Sequence, residues 1–251
     1  MSKASLDFTA VWNDTTEMLQ KHKEAGIAIA GLFLFLPSWM FAYFIGEPDF
    51  VGVTTLTEQL EVQGEFYQEN WFAFLVTSIA TAFGTLAYYI VLTHGNIGTI
   101  GSALSKAIKI FPLFFIVSII TNFLTGLGLF AFLIGAFYLM GRFSTVAGVL
   151  AAESERGVIG SIQYAWSLTN GLGWMSFLMI LIVVVVGFVI IFVIEAISSL
   201  IFGLIGGTMG QLLTTGVSSL IGMIFSLVIA TLMIAIYKHL KPQVDKAAKA
   251  G

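Results

Sequence analysis

The sequence predicts an all-α polytopic membrane protein with six transmembrane helices, and three observations carry that prediction. Apolar runs of bilayer length recur along the chain. All eleven Lys and Arg residues fall on one side once those runs are threaded through a membrane. The composition also leaves too little polar surface for a soluble domain: 58% of residues are hydrophobic, 10% are charged and the mean hydropathy is +0.97, whereas soluble domains carry about 25% charged residues. With 251 residues and no long polar stretch, the chain reads as a single integral membrane domain, 1–251. The absence of cysteine removes thiol nucleophiles, disulfides and iron–sulfur ligation from consideration.

Each span has the ~20 apolar residues that a bilayer core requires. The first covers residues 25–45, with Pro37 expected to kink it. Acidic residues precede it and no small-residue cleavage site follows, so it reads as a retained span and not a signal peptide. The second covers 71–93. The run 110–140 would make one straight helix of about 45 Å, too long for the hydrocarbon core. It is therefore divided at a tight turn, Thr125-Gly126-Leu127-Gly128, and the fourth span is placed at 129–148. Arg142 inside that pattern reads as a side chain snorkelling to the interface. The run 174–207 is likewise divided, giving a fifth span that ends near residue 197, a Gly/Ser-rich connection at 198–210 and a sixth span at 211–237.

An even number of spans brings the basic residues to one face: Lys3, Lys21 and Lys23; Lys106 and Lys109; Arg142 and Arg156; Lys238, Lys241, Lys246 and Lys249. The opposite loops hold no base, and the first of them holds Glu47, Asp49, Glu58, Glu61, Glu65 and Glu69. The positive-inside rule then places both termini in the cytoplasm. Three amphipathic stretches, 8–23, 100–110 and 158–168, precede alternate spans and read as helices lying along the cytoplasmic headgroup layer. Their likeness fits a threefold repeat of interfacial helix plus hairpin, and it equally fits independent anchoring helices.

Few residues offer chemistry. His22, His94 and His239 lack metal-ligand spacing, so no metal or other cofactor is expected. Glu58, Glu61 and Glu65 share a helical face that would attract a divalent cation or simply be solvated. Within the spans the polar residues of interest are Asn122 and Glu195, the latter either functional or a polar terminus at the interface. Phosphate-loop and dinucleotide motifs are absent, and nucleic-acid binding has no support. Trp12, Arg142, Glu153, Arg156 and Trp166 are the candidate lipid or partner contacts, because basic and aromatic side chains at a cytoplasmic surface suit anionic headgroups.

The segments Tyr138-Leu139-Met140-Gly141-Arg142-Phe143, Glu153, Gly157-Val158 and Tyr164-Ala165-Trp166-Ser167-Leu168-Thr169-Asn170-Gly171 with Trp174, joined more faintly by the Trp12 region and Leu36-Pro37-Ser38, form a familiar arrangement. It resembles the bacterial six-span family of YciC-like proteins and the membrane domain attached to some glycerophosphoryl diester phosphodiesterases. Gln163-Tyr164 stands where that family often has a basic residue. The resemblance implies a bacterial inner-membrane location and a six-span fold, and the phosphodiesterase activity is not carried over to this chain.

The expected function is that of a non-catalytic inner-membrane protein binding lipid or a membrane-protein partner, in an accessory or scaffold role. Its partners would be membrane lipids and a membrane complex or a second copy of the chain. The alternative is a transporter or lipid-moving channel, motivated by Glu195 and the repeat. An intramembrane enzyme ranks last, because no nucleophile and base can be assembled.

Overall fold

The computed structural model describes residues 5–95, 99–130 and 133–249, with the side chains of 129, 130 and 247–249 left out. Lys3 lies outside the described residues. The chain is all-α, and among the described residues six helical segments are long and apolar enough to cross a membrane: Lys23–Phe44, Trp71–Thr93, Ile100–Gly128, Ile134–Ala152, Gly173–Ile205 and Gly207–Lys246.

A short helix comes first. α1 (Phe8–Lys21) starts where the Asp7 carboxylate accepts the Ala10 N–H at 2.7 Å, an N-cap that satisfies one of the orphan donors of the first turn. Its Val11, Thr15 and Met18 are buried, and it packs against the last helix. The first span is α2 (Lys23–Ala30), a π-helical turn at Gly31–Phe35 and α3 (Leu36–Phe44). The Leu36 N–H bonds to the Gly31 carbonyl, and this wider turn comes just before Pro37, which has no N–H to continue the ladder. The expected disturbance at Pro37 is thus an inserted residue in the helix.

α4 (Leu56–Glu69) occupies the acid-rich loop. Its Glu58 closes a capping box, taking the Thr54 and Thr55 N–H groups at 2.9 and 3.0 Å. That carboxylate is therefore turned back on the helix start, away from the face expected to be shared with Glu61 and Glu65. α5 (Trp71–Thr93) forms the second span.

Two expected connections are corrected. Residues 125–128 are helical within α6 (Ile100–Phe130), and the next helix, α7, begins at Ile134. Gly128 serves contact instead of a turn: a Cβ there would lie 2.8 Å from the Ala136 backbone N, so it lets α6 and α7 approach closely. Residues 198–205 are also helical, as the end of α10 (Gly173–Ile205), and α11 (Gly207–Lys249) follows at once. The reversal is made at Gly206 and Gly207, with φ of 66° and 57°, a left-handed conformation that favours glycine. The segment 100–110 continues into its span without a break, while α1 and α9 (Gly157–Leu168) stand as separate helices. The fourth span is divided into α7 (Ile134–Phe143) and α8 (Val146–Ala152), and it extends to Ala152 where the sequence suggested 148.

Each span packs on the next in chain order, and α11 closes the ring by packing on α3 and α5. The charged groups converge at one end. Ser5 and Gln243 exchange two hydrogen bonds of 3.0 Å, Lys106 meets His94 at 2.6 Å, and Lys241 meets Glu153. Both ends of the described chain therefore lie at this basic end, and among the described residues the other end carries acids alone. Burial concentrates in the basic half, in residues such as Leu86–Leu92 of α5, Val146–Ala151 around α8 and Leu232–Leu240 of α11. At the acidic end, residues 71–80 of α5 and 184–194 of α10 are largely unburied.

The tightest crossing joins α7 to α10. A Cβ on Gly141 would collide with the Gly173 carbonyl oxygen, whereas one on Gly126 would meet nothing within 4 Å. Gly141→Ala should therefore lower stability by about 2 kcal/mol through overpacking. Gly126→Ala should be neutral or slightly stabilising, since alanine is the better helix former. Thermal unfolding of both variants in mild detergent checks the contrast.

Candidate functional site

Two of the sequence-predicted contact residues, Glu153 and Arg156, meet in a polar knot at the basic end. Glu153 lies just past α8, followed by a 3-10 turn (Ser154–Arg156) and by Gly157 at φ 65°. That reversal brings Arg156 back over its own turn, with Nε 2.7 Å and Nη2 2.6 Å from Glu153 Oε2. The other carboxylate oxygen accepts Lys241 Nζ at 2.6 Å and the Tyr237 hydroxyl at 2.8 Å, both from α11. Arg156 also covers the Tyr164 ring at 3.9 Å, and the Tyr164 hydroxyl donates to Asp245 at 2.8 Å. The knot thus ties the α8–α9 connection to the end of α11.

Its electrostatics follow from this geometry. Burial by itself raises the Glu153 carboxyl, but the hydrogen bonds from Lys241, Tyr237 and Arg156 outweigh it and hold the group below the usual carboxylate range. Burial and then the bond to Asp245 push the Tyr164 phenol up. Nearby, burial and then Lys106 lower His94, so this histidine favours its neutral form.

Arg142 forms a second fixture. It is only 1% exposed, so the expected snorkelling does not occur. Its guanidinium donates to the Thr169 carbonyl at 2.5 Å and to the Trp166 carbonyl at 2.7 Å. It also stacks on the Trp166 ring at 4.0 Å. The last carbonyls of α9 have no helical partners of their own, and the planar fork of arginine supplies them. Thr169 returns a bond from its hydroxyl to the Arg142 carbonyl at 3.1 Å.

These placements revise the roles given to the predicted residues. Arg142 and Glu153 bind the protein itself and offer nothing to a headgroup. Arg156 is half spent on Glu153, with 37% of its side chain exposed. Trp166, 41% exposed, and Trp12 remain available. Trp12 stacks with Phe8 at 6.4 Å, and the two rings border an apolar groove between α10 and α11 of about 350 Å³.

Asn122 lies far from the knot, on a cleft at the acidic end. Glu195 joins neither region, and no hydrogen bond to its side chain occurs among the described residues. It stands 22 residues into α10 after Gly173, about 33 Å along the helix, beyond the depth of a ~30 Å hydrocarbon core. That position fits a polar terminus. No group of three metal-binding side chains occurs among the described residues. The sequence reading missed Tyr237, Lys241 and Asp245, whose i, i+4 spacing on one helix face is the only signal they left. It also missed the groove, which needs two helices to exist.

Two outcomes test these fixtures. Arg142→Ala should cost about 3 kcal/mol, because two charge-assisted bonds vanish and the Trp166 carbonyl loses its side-chain donor, while Thr169 keeps only the Leu172 N–H at 3.0 Å. Arg142→Lys should recover little, since an ammonium lacks the planar fork. Because the folded carboxyl of Glu153 is depressed, its contribution to stability is complete above the ordinary carboxyl pKa and is lost as the pH falls through the folded value. Glu153→Gln should flatten that acid-side dependence in a thermal-unfolding series from neutral to acidic pH. Compared with known proteins, the chain matches no family model, no curated protein and no solved structure.

Proposed function

We propose that this chain is a non-catalytic, multi-pass protein of the bacterial inner membrane that binds membrane lipid at its basic end, with that end and both termini in the cytoplasm. The segregation of charge supports the orientation: eleven bases and seven acids belong to one end, seven acids and no base to the other. The motif resemblance to the YciC-like family supports the location. In this reading α1 and α9 lie along the cytoplasmic surface as the first and third interfacial helices of a repeat, and the second has fused with its span.

The groove bordered by Phe8 and Trp12 carries the lipid assignment. Its walls are wholly apolar, with Ile182, Val186 and Ile190 of α10 facing Ile221, Phe225 and Val228 of α11. From Ile182 to Ile191 it runs about 13 Å, close to the ~15 Å depth of one leaflet. That is a seat for an acyl chain, and Trp12 suits the level where chain meets headgroup. The ion pairs among the described residues all involve Glu153, which leaves Lys21, Lys23 and Lys246 for an anionic headgroup. The accessory role follows from this surface, since bound lipid would orient the chain toward a membrane partner. The transport reading is favoured by one observation, the opening of the bundle at its acidic end while the basic end is closely packed.

Native mass spectrometry with phosphatidylglycerol tests the assignment. The protein should retain the lipid through detergent exchange, and Ile190→Trp, which fills the groove, should reduce retention several-fold together with Trp12→Ala. Equal retention by all three proteins, or none by the unaltered one, would remove the basis for lipid binding here.

A further inference from the structure

The opening at the acidic end has a chemistry of its own. A cleft of about 640 Å³ lies between α3, α5 and α6, with α4 over it through Phe66 and Tyr67. A smaller cavity of about 340 Å³ shares Ser38, Glu47 and Thr81 with it and reaches α11. The cleft contains an unusual set of hydroxyls. In a helix, Ser and Thr commonly return the hydroxyl to the carbonyl one turn back, as Thr85 does to Thr81 and Thr121 to Val117. Ser38, Thr77, Ser78, Thr81 and Ser118 make no such side-chain bond among the described residues, and neither does Asn122. Polar groups at membrane depth are costly unless paired. Their gathering on one cleft implies water or a ligand that pairs them.

Charge and aromatic rings select the ligand. Among the described residues Glu47 is the one carboxylate lining either cavity, and no Lys or Arg lines them. The neighbouring loop is acidic throughout, so the field at the mouth repels anions and draws cations. Around that mouth Phe41 and Phe66 meet edge to face at 6.3 Å, and Tyr67 lies 4.9 Å from Phe74. Carboxylate and ring faces together are the recognition chemistry of an ammonium group, and Phe114 and Ala82 deeper in the cleft suit an apolar body.

We propose that the acidic-end cleft binds an ammonium-bearing amphiphile, with its cationic head at Glu47 among the aromatic rings and its body paired by the hydroxyls of α3, α5 and α6. The ammonium group belongs either to an aminophospholipid of the surrounding leaflet or to a free lipophilic amine. This site stands apart from the groove at the basic end, so either can fail without the other.

Dansylcadaverine, a fluorescent alkyl amine, serves as the probe, with the protein held in an uncharged maltoside detergent. The unaltered protein should bind it saturably and should bind its N-acetyl derivative, which lacks the charge, far less. Glu47→Gln should weaken binding about tenfold, and Thr81→Val should weaken it less. Glu47 is exposed in the loop after α3, so the Gln variant should keep the thermal unfolding of the parent. Displacement of the probe by phosphatidylethanolamine and not by phosphatidylglycerol assigns the site to an aminolipid, and displacement by neither assigns it to free amines. Absence of saturable binding, equal binding of the acetylated probe, or unchanged affinity in the Glu47→Gln variant would overturn the proposal.

Discussion

The last carbonyls of α9 set the constraint on which this bundle depends. A helix that stops among packed helices must find donors for its last carbonyl groups, and here one guanidinium, inserted from α7, supplies two of them beside the backbone N–H groups of the following turn. Arg142 is admitted because Gly141 and Gly173 bring α7 and α10 into backbone contact beside it. The clamp therefore fixes three elements together: the fourth span, the short α9 and the start of the fifth span. The Glu153 knot then ties the same region to the end of α11.

With its closest packing at one end, the bundle distributes burial unevenly. The basic half holds most of the core, and the acidic half leaves helix faces open to lipid or to one another. In a bilayer there is little hydrophobic gain from covering those faces, because lipid tails are as apolar as leucine. Close contacts and polar bonds decide where the helices stay together. The knot, the clamp and the bond of 2.9 Å between Tyr88 and Thr231 all sit toward the basic end or the middle. The two candidate ligand regions consequently differ in character. One is a greasy groove beside tryptophan and lysine, and the other is a hydroxylated cleft under a field of acids.

Several elements are legible in the sequence alone. The second span coincides with α5, and the first and third amphipathic stretches end as α1 and α9 within a residue or two. The turns were harder to read. Glycine pairs at 126–128 and 203–210 look alike in sequence, yet Gly128 mediates helix contact while Gly206 reverses the chain. The difference lies in what approaches each residue, and that approach is a property of the neighbouring helix. In the sequence Arg142 reads as reaching for water, because a span offers it no visible partner. Its partners are backbone carbonyls, which carry no side-chain signature. Of the candidate contacts, Trp12 and Trp166 kept an open surface, while Arg142 and Glu153 were consumed internally.

By itself the sequence determined that the chain is a helical membrane protein with six apolar crossings and its bases gathered at one end, because hydropathy and charge act on each segment separately and need no neighbours. Only the tertiary structure decided which polar groups satisfy one another and which are left facing a cleft. Glu153 with Lys241, and Arg142 with Trp166 and Thr169, are pairings between separate elements. The unpaired hydroxyls of Ser38, Thr81 and Ser118 converge only when three helices are set side by side. Hydrogen bonding depends on distance and direction in space, and sequence order supplies neither across a bundle.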